Sequence, residues 1–373
     1  MLQIDIAALA TKVAWLAFAL GALFGATAQR THFCTMGALS DIFTMGHWSR
    51  MRQWMLAMAV AIIGTSLLAA AGSIDPAKSL YTGTRLNWLS HVVGGACFGF
   101  GMMVASGCGN KTLVRIGSGN LKSLVVFMVV GLTAFMTLRG VLATVRVQLL
   151  DNQFLQLSVH QDLPSLLAAA RADIAFLRLA VGGLVALLLL AFVFAGKEFR
   201  RPDAVVANVA AGVVIGGVIV AAWYVSGSIG HVAEDPNTLQ EAFAATNSGR
   251  MEAFSFVAPF AYTLDLLMMW TDVSKVVTFG VAATLGVVAG SFIMAIVTGV
   301  FRWEGFGGVA DVAHHLGGAM LMGFGGVTAL GCTIGQGLSG ISMLSIGSML
   351  TLAGFVGGAY AAHRYQSWRV MRD

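Results

Sequence analysis

The chain has 373 residues, of which 57% are hydrophobic and only 10% charged, against about 25% charged in a typical soluble domain. That is too little charge to cover the surface of a soluble fold, so the composition excludes the soluble classes and points to the membrane. A net charge of +5 fits loop topology and anionic lipid contact, and gives no reason to invoke nucleic acid.

In chain order, hydrophobic blocks cover about 9–28, 52–72, 88–106, 121–143, 175–195, 204–225, 273–299, 312–331 and 343–362. Each is long enough to cross a hydrocarbon core of about 30 Å. The expectation is an all-α polytopic membrane protein: one transporter domain over 1–373 with about nine transmembrane helices. Glycine is abundant (46 residues) within the blocks, and in lipid small residues let helices pack closely. Ala26-Thr27-Ala28 resembles a cleavage site, but Asp5 and the lack of a basic cluster argue for a retained first helix.

Nine crossings place the termini on opposite sides. The loops after blocks one, three, five and seven, with the C-terminal end, carry thirteen of the 22 Lys and Arg residues, Lys197, Arg200 and Arg201 among them. Positive residues stay inside. A bacterial inner-membrane protein with its N-terminus outside and its C-terminus in the cytoplasm is therefore expected.

Residues 91–108 (HVVGGACFGFGMMVASGC) and 315–332 (HLGGAMLMGFGGVTALGC) align without gaps. His91/His315, Gly94/Gly318, Phe100/Phe324, Gly101/Gly325 and Cys108/Cys332 are among the identical pairs. A weaker echo links Gly21 and Gly25 with Gly212 and Gly216. The chain thus divides into a first repeat at about 9–143, a linker helix at about 175–195 and a second repeat at about 204–362. Five crossings precede the second unit, so it is expected upside down: an inverted repeat with pseudo-two-fold symmetry, the transporter plan whose site lies near the midplane. The longer segments 144–174 and 226–272 read as outer lids, amphipathic helices or plain connectors.

After each repeated Gly-Cys pair comes a short polar, glycine-rich stretch, at 109–120 and 333–342, and a similar one spans 30–41. An aqueous loop is one reading. Short re-entrant half-helices are the other, since irregular backbone at membrane depth is tolerated where it lines a cavity. Of the four cysteines, Cys97 lies mid-helix and reads as a small apolar residue. Cys34, Cys108 and Cys332 each sit at a predicted break. No C-x-x-C pair supports a metal site, and no cofactor or catalytic motif is legible. Half-helix N-termini favour anions. Arg30 precedes Cys34, and Lys111 and Arg115 follow Cys108. A thiol in apolar surroundings stays protonated and donates S–H weakly, so three along a path suit repeated weak binding of a soft anion. Asn110, Thr112, Thr333 and Gln336 are further polar candidates. His91 and His315 read as gate or structural histidines.

The marks R-T-H-F-C-T-M-G-A at 30–38, S-G-C-G-N-K-T-L-V-R at 106–115, F-R-W-E-G-F at 301–306 and L-M-G-F-G-G-V-T-A-L-G-C-T-I-G-Q-G-L-S-G at 321–340 resemble the YeeE/YedE sulfur-transport family, and the resemblance runs along essentially the whole chain. It implies thiosulfate uptake through a nine-helix, hourglass-like protein with three functional cysteines, which map onto Cys34, Cys108 and Cys332. It also implies a TusA-type cytoplasmic sulfur-carrier partner, with no such domain fused after the last helix here. Some relatives are linked to selenium or other sulfur species. The competing reading is a membrane sulfurtransferase that passes a cysteine persulfide to a carrier, with Lys111 favouring a Cys108 thiolate.

Overall fold

The computed structural model describes residues 5–168, 173–196, 202–235, 239–272 and 275–372. Lys197, Arg200 and Arg201 lie outside the described residues. The fold is almost entirely helical, with two two-residue antiparallel pairings, Arg85–Leu86 with Leu155–Gln156 and His231–Val232 with Ala242–Phe243.

Every hydrophobic block forms a helix. They are α1 (Ile6–Thr31), α3 (Ser49–Ala70), α4 (Trp88–Val104), α6 (Leu121–Arg139), α9 (Ile174–Phe194), α10 (Pro202–Tyr224), α12 (Phe279–Val297), α13 (Val309–Thr328) and α14 (Ile346–Val370). Among the described residues, seven helical stretches are long and apolar enough to cross a membrane, beginning at Ile6, Ser49, Trp88, Leu121, Ile174, Asn208 and Phe279. The α13 and α14 helices have the length, 20 and 25 residues, but their Gly, His, Ser and Arg content lowers their hydropathy. Between the long helices lie short ones: α2 (Thr35–Met45), α5 (Gly109–Gly117), α7 (Val141–Val145), α8 (Leu163–Leu167) and α11 (Val257–Met268).

Close packing comes from glycine faces. The α1 helix crosses α12 with Gly25 so near that a methyl there would lie 2.8 Å from the Val287 Cα. The α10 helix meets α3 through Gly216, where a methyl would lie 2.6 Å from the Ala57 carbonyl. At the α4–α13 crossing, Gly94 would meet the Gly325 carbonyl at 2.8 Å and Gly101 the Gly318 carbonyl at 2.6 Å. Removing side chains at these positions brings the backbones into dispersion contact, which drives association where lipid is as apolar as the helices.

The segment 226–272, expected to hold lids, amphipathic helices or connectors, contains α11. Val257, Phe260, Ala261 and Leu266 are buried on it, and it packs between α6, α12 and α13. It is a component of the bundle, and the phenylalanines just before it belong to the central core. Phe24, Phe254, Phe256 and Phe279 are fully buried there and stack with centroid separations of 5.8 to 6.0 Å.

Candidate functional site

Three helices stop in the same way, each just before a cysteine. His32, Ser106 and Leu330, two residues ahead of Cys34, Cys108 and Cys332, adopt left-handed backbone with φ of 54°, 53° and 59°. In each case the next amide bonds back five residues: Phe33 to Ala28 O, Gly107 to Met102 O and Gly331 to Gly326 O. This is the hydrogen-bond pattern of a Schellman stop. A new helical turn then begins on the cysteine itself. Ala38 N–H bonds the Cys34 carbonyl at 3.0 Å, Thr112 that of Cys108 at 2.9 Å and Gln336 that of Cys332 at 2.8 Å. The new elements are α2, α5 and a short wide-turned helix, Gly335–Gly340.

The thiol occupies the place of an N-cap oxygen in each new turn. Gly37 N–H donates to Cys34 Sγ at 3.3 Å, and Gly335 N–H to Cys332 Sγ at 3.5 Å. The Lys111 amide faces Cys108 Sγ from the same i+3 position, more loosely. A sulfur that accepts from its own turn still has its S–H hydrogen free to donate.

All three thiols are buried, Cys108 and Cys332 with no exposure. Cys34 and Cys108 face each other, and the Thr333 hydroxyl faces the Cys108 sulfur. Thr333 follows Cys332 directly and opens the turn that Cys332 caps, so one polar row runs Cys34–Cys108–Thr333–Cys332. The Ile334 amide of its own turn and the Phe256 amide from outside it also point at Cys332. Thr333 Oγ1 finds no oxygen or nitrogen partner, and neither does Asn110 Oδ1. Asn110 Nδ2 donates to the Phe33 carbonyl at 3.3 Å, tying the α1 break to α5.

A cavity opens at each end of the row. The one at Cys34 is about 810 Å³ and is lined by Arg30, His32, Arg50, Lys111, Arg115, Arg302 and a single carboxylate, Glu304. Arg115 Nη1 also donates to the Ser106 carbonyl at 3.1 Å, bracing the break before Cys108. The cavity beyond Cys332 is about 160 Å³ and is nearly neutral in its lining, with Tyr81, Asn247, Ser248, Ser255, Tyr262 and Gly331 around one Arg146 and one Glu252. Arg146 is paired with Asp151 at 3.1 Å, and Glu252 accepts the Ser248 amide at 2.9 Å.

Of the residues singled out in the sequence, Arg30, Cys34, Lys111 and Arg115 share the large cavity, and Cys108, Asn110, Thr333 and Cys332 lie behind it. Gln336 is fully buried with both ends of its amide used: Nε2 donates to Ala329 O and Oε1 accepts from Ser348 Oγ, each at 2.5 Å. It braces the break and offers no free group to the row. Thr112 likewise bonds the Cys108 carbonyl. His91 pairs with Thr351 at 2.8 Å and His315 with the Asp311 carbonyl at 2.8 Å. Cys97 sits half-buried within α4. Sequence reasoning passed over Arg50, Arg302, Tyr81 and Ser255. Arg302 lies within a quoted mark, whereas Tyr81 and Ser255 stand in segments that carry no motif.

The Sulphur transport family model matches residues 30–361, a span that holds every residue of this row. The chain is 28% identical over 370 residues to the thiosulfate transporter TsuA of Escherichia coli K12, covering 94% of this chain and 92% of that protein. It is 24% identical over 351 residues to the thiosulfate transporter TsuA of Spirochaeta thermophila, covering 92% and 96%. These proteins are transporters, and together with the family match and the membrane-length helices they make this chain a multi-pass membrane transporter of the sulphur transport (YeeE/YedE) family.

Proposed function

We propose that the protein is an inner-membrane permease that takes up thiosulfate through the row Cys34–Cys108–Thr333–Cys332. The observation that carries this reading is the row itself: three thiols, each seated at the start of its own helical turn, between a cationic cavity and a nearly neutral one. Thiosulfate joins a soft, polarisable sulfur to hard oxygens. A thiol donor meets the sulfur without an opposing charge, whereas a row of thiolates would repel it. Hydrogen bonds to a charged group contribute about 1.5–3 kcal/mol each, enough to replace hydration step by step and weak enough to release, as conduction requires. Lys111 and the arginines around it then stabilise the anion at the cytoplasmic end, where Asn110 holds the half-helix in place.

The same reading takes α13 and α14 as membrane crossings, giving nine, with the N-terminus outside and the C-terminus inside. It also takes the halves as an inverted repeat. Helix pairing supports this: α1 on α12 answers α10 on α3, α4 on α14 answers α13 on α6, and α4 on α13 is its own counterpart. In this scheme α2 answers α11, and Phe256 stands where the first half has Cys34.

Growth on thiosulfate as sole sulfur source, in cells lacking other sulfate and thiosulfate permeases, tests the proposal. Wild type and Cys97→Ala should grow; Cys34→Ala, Cys108→Ala and Cys332→Ala, expressed and folded, should not. Growth of all three variants at the wild-type rate would remove the thiol row. A wild type that failed to grow would move the substrate to a selenium or another sulfur species. A persulfide adduct in the intact mass after thiosulfate exposure would replace permeation with sulfur transfer.

A further inference from the structure

The two ends of the row differ in chemistry. Toward the large cavity, Cys108 has Cys34 beside it. Toward the small cavity, Cys332 has the Phe256 amide and no second thiol among the described residues. What stands there instead is a pair of hydroxyls. A methyl placed on Gly335, whose amide donates to Cys332 Sγ, would lie 2.5 Å from Ser255 Oγ and 3.2 Å from the Tyr81 hydroxyl. Both residues also line the outer cavity, together with Gly331 next to Cys332.

Tyr81 is held there by several contacts. Its ring packs edge-on against Trp223 at 6.1 Å, and Trp223 Nε1 donates to Ser342 Oγ at 3.0 Å. Its carbonyl accepts from Ser345 Oγ at 2.7 Å. Tyr81 is only 3% exposed, so its hydroxyl stands at the floor of the cavity and not at its rim. Gly335 keeps the floor open, since any side chain there would displace both hydroxyls.

We propose that the Tyr81 and Ser255 hydroxyls form an outer oxyanion subsite that binds the oxygens of the incoming anion and presents its sulfur to Cys332. The inference rests on the permease reading and adds a division of labour to it. Phenol and alcohol O–H groups are stronger donors than a thiol and match hard oxygens; the thiol matches the soft sulfur. Neutral donors suit a cavity whose one cation is ion-paired with Asp151 and whose one carboxylate is held by the Ser248 amide, and an anion bound by neutral groups is not trapped before it enters the row.

The test uses radiolabelled thiosulfate uptake by the full-length protein in oriented proteoliposomes, with Tyr81→Phe, Ser255→Ala and the double variant. Tyr224→Phe, which removes a hydroxyl from an exposed position, is the control. The double variant should raise the KM for uptake from the outer face about tenfold or more, the size of a lost hydrogen bond to an anion. Its Vmax for uptake should stay within about twofold. A general loss of structure would instead lower Vmax in both directions. An outer KM unchanged in the double variant, while Cys332→Ala abolishes uptake, would overturn the subsite and leave the permease reading standing. If wild type moved no thiosulfate, the permease reading would fail. Thiosulfate titration of the purified proteins would then decide the subsite: tenfold weaker binding by the double variant supports it, equal binding overturns it.

Discussion

At Cys108 and at Cys332 the backbone does the same thing, yet the surroundings diverge. Both follow a left-handed residue, both start a new turn, and both new turns end in a strap from elsewhere in the chain. On the Cys108 side, residues 301–304 run beside the end of α5, with Leu121 N–H on the Glu304 carbonyl at 2.9 Å and Arg302 N–H on that of Ser118 at 3.2 Å. On the Cys332 side, residues 161–163 do the equivalent, with Leu163 N–H on Leu344 O at 3.0 Å and Ile346 N–H on Gln161 O at 2.9 Å. The first strap is anchored by half-exposed polar contacts beside a cationic cavity. The second is anchored by a buried ion pair, Arg178 with Asp162 at 2.6 Å, the two side chains 9% and 1% exposed. Similar backbones at the two breaks thus leave the difference in function to side chains.

Breaking the buried pair should give the largest effect. Arg178→Met leaves the Asp162 charge buried without its partner, and removing one member of such a pair costs about 3–5 kcal/mol. Thermal unfolding in detergent should show a large fall, much of it recovered in the double variant Arg178→Met/Asp162→Asn. A single variant as stable as wild type would mean that this strap is not held by the pair. Next comes the crossing of α4 with α13. Gly101→Val would press against the Gly318 carbonyl and should cost about 1–3 kcal/mol. Gly317→Ala, with open space around it, should cost less than about 0.5 kcal/mol. Equal stabilities for the two variants would contradict the close approach of α4 and α13.

The cationic end offers a smaller, functional test. Lys111→Gln leaves the α5 backbone unchanged and should slow thiosulfate uptake several-fold at low ionic strength. The deficit should narrow as salt screens the remaining arginines over a Debye length of about 8–10 Å. A salt-independent deficit would mean that Lys111 acts through local structure. Thr333→Val then separates the row from its scaffold. Thr333 Oγ1 is buried without an oxygen or nitrogen partner, so stability should hold or rise, while transport should fall if the hydroxyl bridges Cys108 to Cys332.

Much of this site was legible in the sequence, for identifiable reasons. A cysteine after glycine or phenylalanine between two hydrophobic blocks marks a helix stop, and all three stops formed where expected. Arg30, Lys111 and Arg115 were found near them because a cation close to a break has few places to point. Gln336 could not be read the same way. Whether a buried amide faces a path or braces a turn depends on Ser348 and Ala329, and spacing gives no sign of either. The α11 helix was missed as a bundle component because a short apolar helix inside a polar segment resembles a surface lid until its tertiary partners appear. Tyr81 and Ser255 were invisible for a related reason: they meet over Gly335, far from both in sequence.

The smallest effect concerns an exposed ion pair, where pH replaces mutation as the probe. Glu241 accepts from Lys78 and from His231, the latter at 2.5 Å. The Lys78 contact first, and His231 after it, hold its carboxyl below the ordinary value of 4.5. A depressed carboxylate stabilises the fold at pH above its unfolded pKa, and that stability is lost as pH falls through the lowered folded value. Lys78 and Glu241 are both 38% exposed, so solvent screening keeps the contribution below about 1 kcal/mol. The unfolding temperature of Glu241→Gln should therefore lie slightly below wild type at pH 7. The gap should close as pH drops below about 4, and added salt should shrink it at pH 7. A gap that persisted at low pH would assign Glu241 a packing role, and the hairpin of His231–Val232 with Ala242–Phe243 would then join the buried strap as a rigid part of the fold.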